Sequence, residues 1–318
     1  MVEEEKKALT KVVVIVGPTA VGKTALSIHL AKKCNGEIIN GDSMQVYEGL
    51  DIGTAKVTEE EAEGIPHHLL GFVPVTEDYT AADFKRDARE AIDRISASGK
   101  LPIIVGGSGL YIEGLLFDMQ FGGVAIEDPT YRQQLEDELE KTSAEQIWSQ
   151  LKEKDPKAAE QIHPNNSRRV IRALEVIHFG DKLFSEQEDR EAEAHYDALL
   201  IGLNTDRSIL YERINRRVDS MLENGLLEEA RALYDLDLPE KAQSTRGIGY
   251  KEWFDFFKGK VSLEEATENL KQNSRRYAKR QLTWFRNRMK KIHWFDLIQD
   301  KDALARVENL VDDFIDNN

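Results

Sequence analysis

The chain has 318 residues, room for about two domains and a sizeable core. A formal charge of −15 argues against general affinity for polyanions, and 41% hydrophobic with 32% charged residues suits a soluble globular enzyme. No apolar run reaches the ~18 residues of a membrane helix, so no membrane contact is expected, and a lone cysteine, Cys34, excludes an intrachain disulfide.

Met1 to Thr10 is rich in Glu and Lys and has no apolar signal core, so a reducing cytoplasm is the expected setting. The first predicted element is Lys11-Val12-Val13-Val14-Ile15-Val16, an apolar β-branched run that reads as a buried strand. Gly17-Pro18-Thr19-Ala20-Val21-Gly22-Lys23-Thr24 follows and fits G-x-x-x-x-G-K-[ST]. Ala25 to Ala31 then carries apolar residues at helical spacing. Strand, glycine loop and helix form the context that this motif requires. Gly17 and Gly22 let the backbone fold back with its N–H groups inward, and the positive end of the helix adds to that field. Lys23 supplies a point charge to a terminal phosphate, and the Thr24 hydroxyl can ligate Mg²⁺. A chance glycine turn is the alternative, and the flanking elements argue against it. The motif alone leaves open which molecule carries the phosphate.

Glu37 to Asn40 predicts a second strand, delivering Gly41-Asp42-Ser43-Met44-Gln45-Val46-Tyr47. In an open parallel sheet, ligands sit outside the carboxyl ends of the strands, so Asp42 lies close to the phosphate loop. It can equally cap the next turn. The adjacent His67 and His68 invite a metal reading, but no cluster at ligand spacing accompanies them. Thr80 and Asp83 form a capping box for a helix over Ala81 to Ser98. Leu101 to Val105 is read as the third strand, ending in Gly106-Gly107-Ser108-Gly109, where glycines permit close backbone approach to a ligand.

From Asp118 the character changes. Met119 to Glu127, with Gly122-Gly123, reads as a connection; Asp128-Pro129 caps a charged helix through Lys141. Helices are predicted over Ser143 to Lys154, Pro156 to Ile162 and Val170 to Phe179. This all-helical block reads as an insertion. Arg168, Arg169 and Arg172 form either a solvated face or part of a polyanion grip. Ala198 to Leu203 returns to strand. The helix beyond it holds Arg207, Arg213, Arg216 and Arg217, spaced for a clamp on phosphates, unless Glu212 and Asp219 neutralise some of them. Gly225 interrupts that helix, and Ser244 to Lys251 is a glycine turn with basic and aromatic residues.

The acidic balance breaks near the end. Asn269 to Phe295 holds nine Lys and Arg and no Asp or Glu. Ala278, Leu282, Phe285 and Met289 make a core stripe on a helix of about Leu263 to Met289, while Arg275, Lys279, Arg286 and Lys290 make a basic stripe. Basic side chains interleaved with Tyr277 and Trp284 suit a splayed single-stranded nucleic acid. A solvated helix with packed aromatics is the alternative.

These parts predict an α/β fold: a P-loop NTPase-like parallel sheet flanked by helices, with an all-helical insertion domain and a helical C-terminal part. The expected division is 1–118 for the first part of the core, 119–197 for the insertion, and 198–318 for core completion and the basic helices. The predicted third strand ends in glycines instead of a second carboxylate, which counts against an ATP-hydrolysing motor. Lys, Arg and Mg²⁺ on a diphosphate stabilise it as a nucleophile's target or as a leaving group, and Asp42 can take a proton from an incoming amine.

GPTAVGKT at 17–24, GDSMQVY at 41–47, DIGTAK at 51–56, PHHLL at 66–70, AADF at 81–84, VGGSGLY at 105–111, IHPNN at 162–166, RALEV at 172–176 and KRQLTWFR at 279–286 together resemble the tRNA dimethylallyltransferase family, also called tRNA isopentenyltransferases, essentially end to end. The resemblance implies transfer of a dimethylallyl group from its diphosphate to N6 of the adenosine 3′-adjacent to the anticodon. It implies that Gly17, Pro18, Thr19, Ala20, Val21, Gly22, Lys23, Thr24 and Arg217 hold the diphosphate, with Mg²⁺ on Thr24. Asp42 is then the general base, acting with Ser108, Lys23 and Arg217. The tRNA anticodon stem-loop would touch Asp42, Ser43, Met44, Gln45 and Ser108 in the core, and Arg132, Asn165, Asn166, Ser167, Arg168 and Arg169 in the insertion. It would also touch Arg246, Gly249, Tyr250 and Lys251, then Lys279, Arg280, Gln281, Thr283, Trp284 and Arg286. The insertion would clamp the RNA and the target base would be flipped out. A monomer is expected. Two positions depart from the family: Ser108 stands where Thr is usual, keeping a hydroxyl, and Asn166 where Asp is usual, removing a charge. Three rival readings remain: a P-loop small-molecule kinase, a prenyltransferase of free adenine nucleotides, and an RNA-binding protein without catalysis, which leaves Lys23 and Thr24 unexplained.

Overall fold

The computed structural model describes residues 9–119, 129–180, 183–188, 194–239 and 241–317. The chain divides into two compact units, Met1–Phe117 with Ala194–Asn318, and Asp118–Glu193. The expected connection with Gly122-Gly123 and the expected cap Asp128 lie outside the described residues.

The first unit is built on a six-stranded sheet. Its strands in chain order are β1 (Lys11–Val16), β2 (Gly36–Asn40), β3 (His67–His68), β4 (Leu101–Gly106), β5 (Asp197–Leu203) and β6 (His293–Phe295). They lie in the order β3-β2-β4-β1-β5-β6, and every pairing is parallel. The strand read as third is therefore fourth in the chain. His67 and His68 form a two-residue margin strand beside β2, and β6 adds a margin strand in a stretch where no element was predicted. Both were too short to show a period in the sequence. In β3, His67 Nδ1 lies 2.8 Å from Ile65 O and His68 Nε2 2.6 Å from Glu37 Oε2.

Burial on both faces explains the unbroken apolar run of β1. Val12, Val14 and Val16 enter one core layer with Tyr47, Phe84, Ile112 and Phe285, while Val13 and Ile15 enter the other with Leu26, Ile103, Ile201 and Val307. Helices cover both faces, α1 (Lys23–Lys33) on one and α3 (Ala81–Ala97) with α4 (Gly109–Leu116) on the other, while the single turn α2 (Glu59–Ala62) buries none of its residues. The Thr80–Asp83 capping box at the start of α3 is formed as its sequence predicts.

The second unit is helical: α5 (Pro129–Lys141), α6 (Ala144–Lys154), α7 (Pro156–Gln161), α8 (Ser167–Phe179) and α9 (Phe184–Glu188). It has its own core of Leu135, Ile147, Leu151, Val170 and Leu174. Helix α8 starts three residues earlier than the apolar spacing indicated, so Arg168 and Arg169 are helical. Polar residues at a helix start escape a reading based on apolar period. The first unit then continues through α10 (Arg207–Glu223), α11 (Leu226–Asp235), α12 (Lys251–Phe257), α13 (Leu263–Arg288) and α14 (Ala303–Asp316).

Register sets the site. Val16 of β1 lies level with Gly106 of β4 and Gly202 of β5, and Asn40 of β2 lies level with Val105. The loops leaving β1, β2 and β4 therefore emerge together at one carboxyl edge of the sheet, the expected place for a ligand.

Candidate active site

The loop after β1 turns tightly. Gly17 has φ +147° and a side chain there would meet the Leu203 carbonyl at 2.5 Å, so only glycine lets the loop seat against β5. Gly22, at φ +106°, opens α1. Lys23 Nζ donates to Gly17 O at 2.9 Å and Pro18 O at 2.8 Å. Two arginines of α10 reach the same loop. Arg217 Nη1 donates to Thr19 Oγ1 at 3.2 Å and Arg213 Nε to Ala20 O at 2.9 Å. Four positions apart, they share one helix face. The other two candidate clamp residues do otherwise: Arg216 pairs with Glu212 at 2.8 Å on the surface, and Arg207 lies over the Tyr211 ring.

Asp42 follows β2. Its Oδ1 accepts from Met44 N at 2.9 Å, and its own N–H donates to Asn40 Oδ1 at 3.1 Å. The capping role foreseen for it is thus filled by one carboxylate oxygen, and no described residue donates to the other. Asp42, Lys23, Thr24 and Arg217 all line an open cavity of about 1490 Å³. Burial lowers the Lys23 pKa from 10.5 to about 8; the Asp42 charge opposes that fall and Arg217 adds to it. Burial likewise depresses Arg217, against Asp42 and Glu61. Two partly buried cations beside a single carboxylate make a site short of negative charge.

Gln281 of α13 is a part of this site that the sequence did not mark as such. It was expected to touch RNA, yet it is 4% exposed. Its Oε1 accepts from Thr19 N at 3.0 Å and its Nε2 donates to Gly107 O at 3.1 Å. It latches the β1 loop to the β4 loop. The available signal was a polar side chain set among Ala278, Leu282 and Phe285 on an apolar stripe. Tyr277, one turn earlier, also lines the cavity, and burial with Asp42 nearby pushes its phenol well above the ordinary value. Ser108 Oγ accepts from Ser43 N at 2.9 Å and donates to Ser43 Oγ at 3.2 Å. Its hydroxyl ties the β4 loop to the β2 loop, and Ser108 is not among the cavity-lining residues.

The other expected RNA contacts divide. Asp42, Ser43, Met44, Gln45, Arg246, Lys251 and Arg280 line the cavity. Lys279 and Arg286 are exposed along α13. Thr283 spends its hydroxyl on Lys279 O at 2.9 Å. Tyr250 is corrected: it is wholly buried and its hydroxyl donates to Glu229 Oε1 at 2.6 Å, so its ring cannot stack on a base. Trp284 packs on Gly109 with the Arg288 guanidinium 5.1 Å from its ring centroid. In the second unit Asn165, Asn166 and Arg168 are exposed, and Arg169 lies over Phe184. Ser167 opens α8, with Asn166 as its cap residue. Arg132 makes a two-pronged bond to the buried Glu175, at 2.7 and 3.0 Å.

Known proteins match this arrangement. The family model described as IPP transferase matches residues 45–288. The chain is 55% identical to the tRNA dimethylallyltransferase of Enterococcus faecalis over 96% of this chain and 98% of that protein, and 52% identical to that of Bacillus subtilis over 92% of each. Among solved structures, the full-length tRNA isopentenylpyrophosphate transferase of Bacillus halodurans is 46% identical with a TM-score of 0.72, covering 96% of both chains. A eukaryotic dimethylallyltransferase acting on tRNA is 36% identical with a TM-score of 0.83, covering 97% of this chain and 80% of that one. A phosphate loop, an arginine pair and a facing carboxylate at one sheet edge, in a chain so closely matched along its length, place this protein in the IPP transferase family.

Proposed function

We propose that this chain transfers the dimethylallyl group of dimethylallyl diphosphate to N6 of the adenosine 3′-adjacent to the anticodon of tRNA and releases diphosphate. One observation carries the reading: Lys23 and Arg217, both partly buried, share a cavity with Asp42, whose charge each of them feels. The allylic C–O bond breaks and its electron pair goes to the diphosphate oxygen. The N6–C bond forms, and the N6 proton passes to the free oxygen of Asp42. Lys23, Arg217 and the N–H groups at the start of α1 meet the charge that develops on the leaving oxygens. A preorganised donor of this kind is worth ~10²–10³ in rate.

A cluster of three protein ligands is absent among the described residues. The cavity-lining Thr24 hydroxyl suits Mg²⁺ brought in on the diphosphate with its waters, as hard, slowly dehydrating Mg²⁺ prefers. When bound, the ion would share the diphosphate charge with Lys23. Exposed Lys279 and Arg286, with the cavity-rim Arg280, supply phosphate contacts for RNA, so binding should weaken steeply with salt.

The test is incubation with bulk tRNA, dimethylallyl diphosphate and Mg²⁺, followed by nucleoside mass analysis. An adenosine heavier by one dimethylallyl group is expected, and ATP should not replace the donor. Release of phosphate from ATP with no use of the isoprenoid would refute the reading. Asp42→Ala should keep RNA affinity and lose ~10²–10⁴ in turnover, the usual range for a general base.

A further inference from the structure

The loop at 51–56 forms one wall of the cavity, and Glu229 of α11 holds it from behind. Its Oε2 accepts from the N–H groups of Asp51 and Ile52, each at 2.9 Å. Its Oε1 accepts from Gly53 N at 2.9 Å and from the Tyr250 hydroxyl at 2.6 Å. Three successive N–H groups around one carboxylate form the kind of concavity that holds a free anion in other proteins. Here the protein plugs it with its own side chain. The neighbouring turn is pressed close: a side chain on Gly53 would come within 2.6 Å of the Tyr250 ring, and one on Gly249 within 2.7 Å of Gly53 O.

What this wall positions is Gln45. Gln45 Nε2 donates to Thr54 O at 3.0 Å and Ala55 O at 3.2 Å. Both partners are carbonyl oxygens, which only accept, so the amide atom facing them has to be the nitrogen. The amide cannot flip without setting oxygen against oxygen. Its Oε1 is left as the atom for a ligand: no described residue donates to it, and Gln45 lines the cavity three residues after Asp42.

We propose that Glu229 is a positioning residue for the RNA substrate. By clamping loop 51–55 it locks the Gln45 amide so that an acceptor, never a donor, meets the nucleobase edge beside Asp42. An edge that carries an amino group satisfies this acceptor; a keto edge leaves two acceptors facing each other. The inference rests on the RNA-acceptor reading given above.

Glu229→Gln replaces one accepting oxygen with an NH₂ that must face N–H or hydroxyl donors, so the loop loses its anchor. The measurement is steady-state kinetics on an anticodon stem-loop RNA, with the donor titrated separately. Glu229→Gln should lower kcat/KM for RNA by about ten- to thirtyfold and shift KM for dimethylallyl diphosphate less than about twofold. A double-mutant cycle with Gln45→Ala separates positioning from general weakening. In the Gln45→Ala background, Glu229→Gln should cost less than about twofold further. Losses that multiply in the double variant would overturn the proposal. Tyr250→Phe removes one donor and keeps the three N–H groups; it should lower kcat/KM for RNA about two- to threefold, again only when Gln45 is present. That variant carries the test if Glu229→Gln does not fold. Failure of the wild type to modify the stem-loop would refute the function itself, whereas an active wild type with multiplicative losses would refute only the role of Glu229.

Discussion

The charge on Lys23 offers the sharpest test of the donor site. Its pKa falls from 10.5 to about 8, chiefly through burial. At 1.36 kcal/mol per unit, keeping the ammonium charged in the unliganded fold costs about 3 kcal/mol. Near pH 7 about nine-tenths of the molecules carry the charge; above pH 8 the charged fraction falls about tenfold per unit. An isoprenoid diphosphate that needs the ammonium should therefore show a Kd rising about tenfold per pH unit above 8, with uptake of a proton on binding. The assay is calorimetric titration with a non-transferable dimethylallyl thiolodiphosphate between about pH 7 and 9.5, in buffers of different ionisation enthalpy, so that proton uptake is counted. Lys23→Arg keeps its charge throughout and should give a flat profile. The stability of the unliganded protein should move the other way. The cost of the buried charge is carried in full below about pH 8 and shed as pH rises toward 10.5, so wild type gains on Lys23→Met across that window. A wild-type Kd that stays level through pH 9 without proton uptake would show that Lys23 is solvated like a surface lysine, and the electrostatic account of the cradle would fail.

Two other expectations follow from packing. Gln281→Leu strands the N–H of Thr19 and the carbonyl of Gly107, each worth ~1–3 kcal/mol when dry; with Thr19 open to the cavity, urea unfolding should show a loss of about 2 kcal/mol while RNA affinity holds. Unchanged stability with lost RNA binding would return Gln281 to the RNA-contacting set. Gly106→Ala would set a methyl group 2.1 Å from Gly41 O, backbone against backbone. Such overpacking costs ~1–3 kcal/mol or more, and a melting temperature equal to wild type would refute that close approach.

The parts of the fold that local rules dictate were legible. β1 is a six-residue apolar run with a glycine loop behind it, and its burial on both faces is what such a run requires. The capping box at Thr80 needs only two residues at fixed spacing. Asp42 was placed near the loop by the rule for sheet edges; helical spacing marked Arg207, Arg213, Arg216 and Arg217 alike, and the family resemblance singled out Arg217. What stayed hidden depended on distant partners. A tyrosine flanked by glycine and lysine reads as exposed, and only the approach of Glu229 from another helix shows why Tyr250 is buried. Gln281 sits in a basic, RNA-like segment, and its two partners are 262 and 174 residues away. β3 and β6 have two and three residues, too few to display alternation.

Those short strands also bear on how the protein behaves in a crowded solution. A sheet's outermost strands leave rows of unpaired amide groups, and a long flat row invites another chain to add on and seed fibres. Here one side of the sheet stops at His67–His68 and the other at His293–Phe295. Neither length offers a ladder worth joining, so the Val- and Ile-rich central strands, the most aggregation-prone stretches of this sequence, are fenced off by their own neighbours.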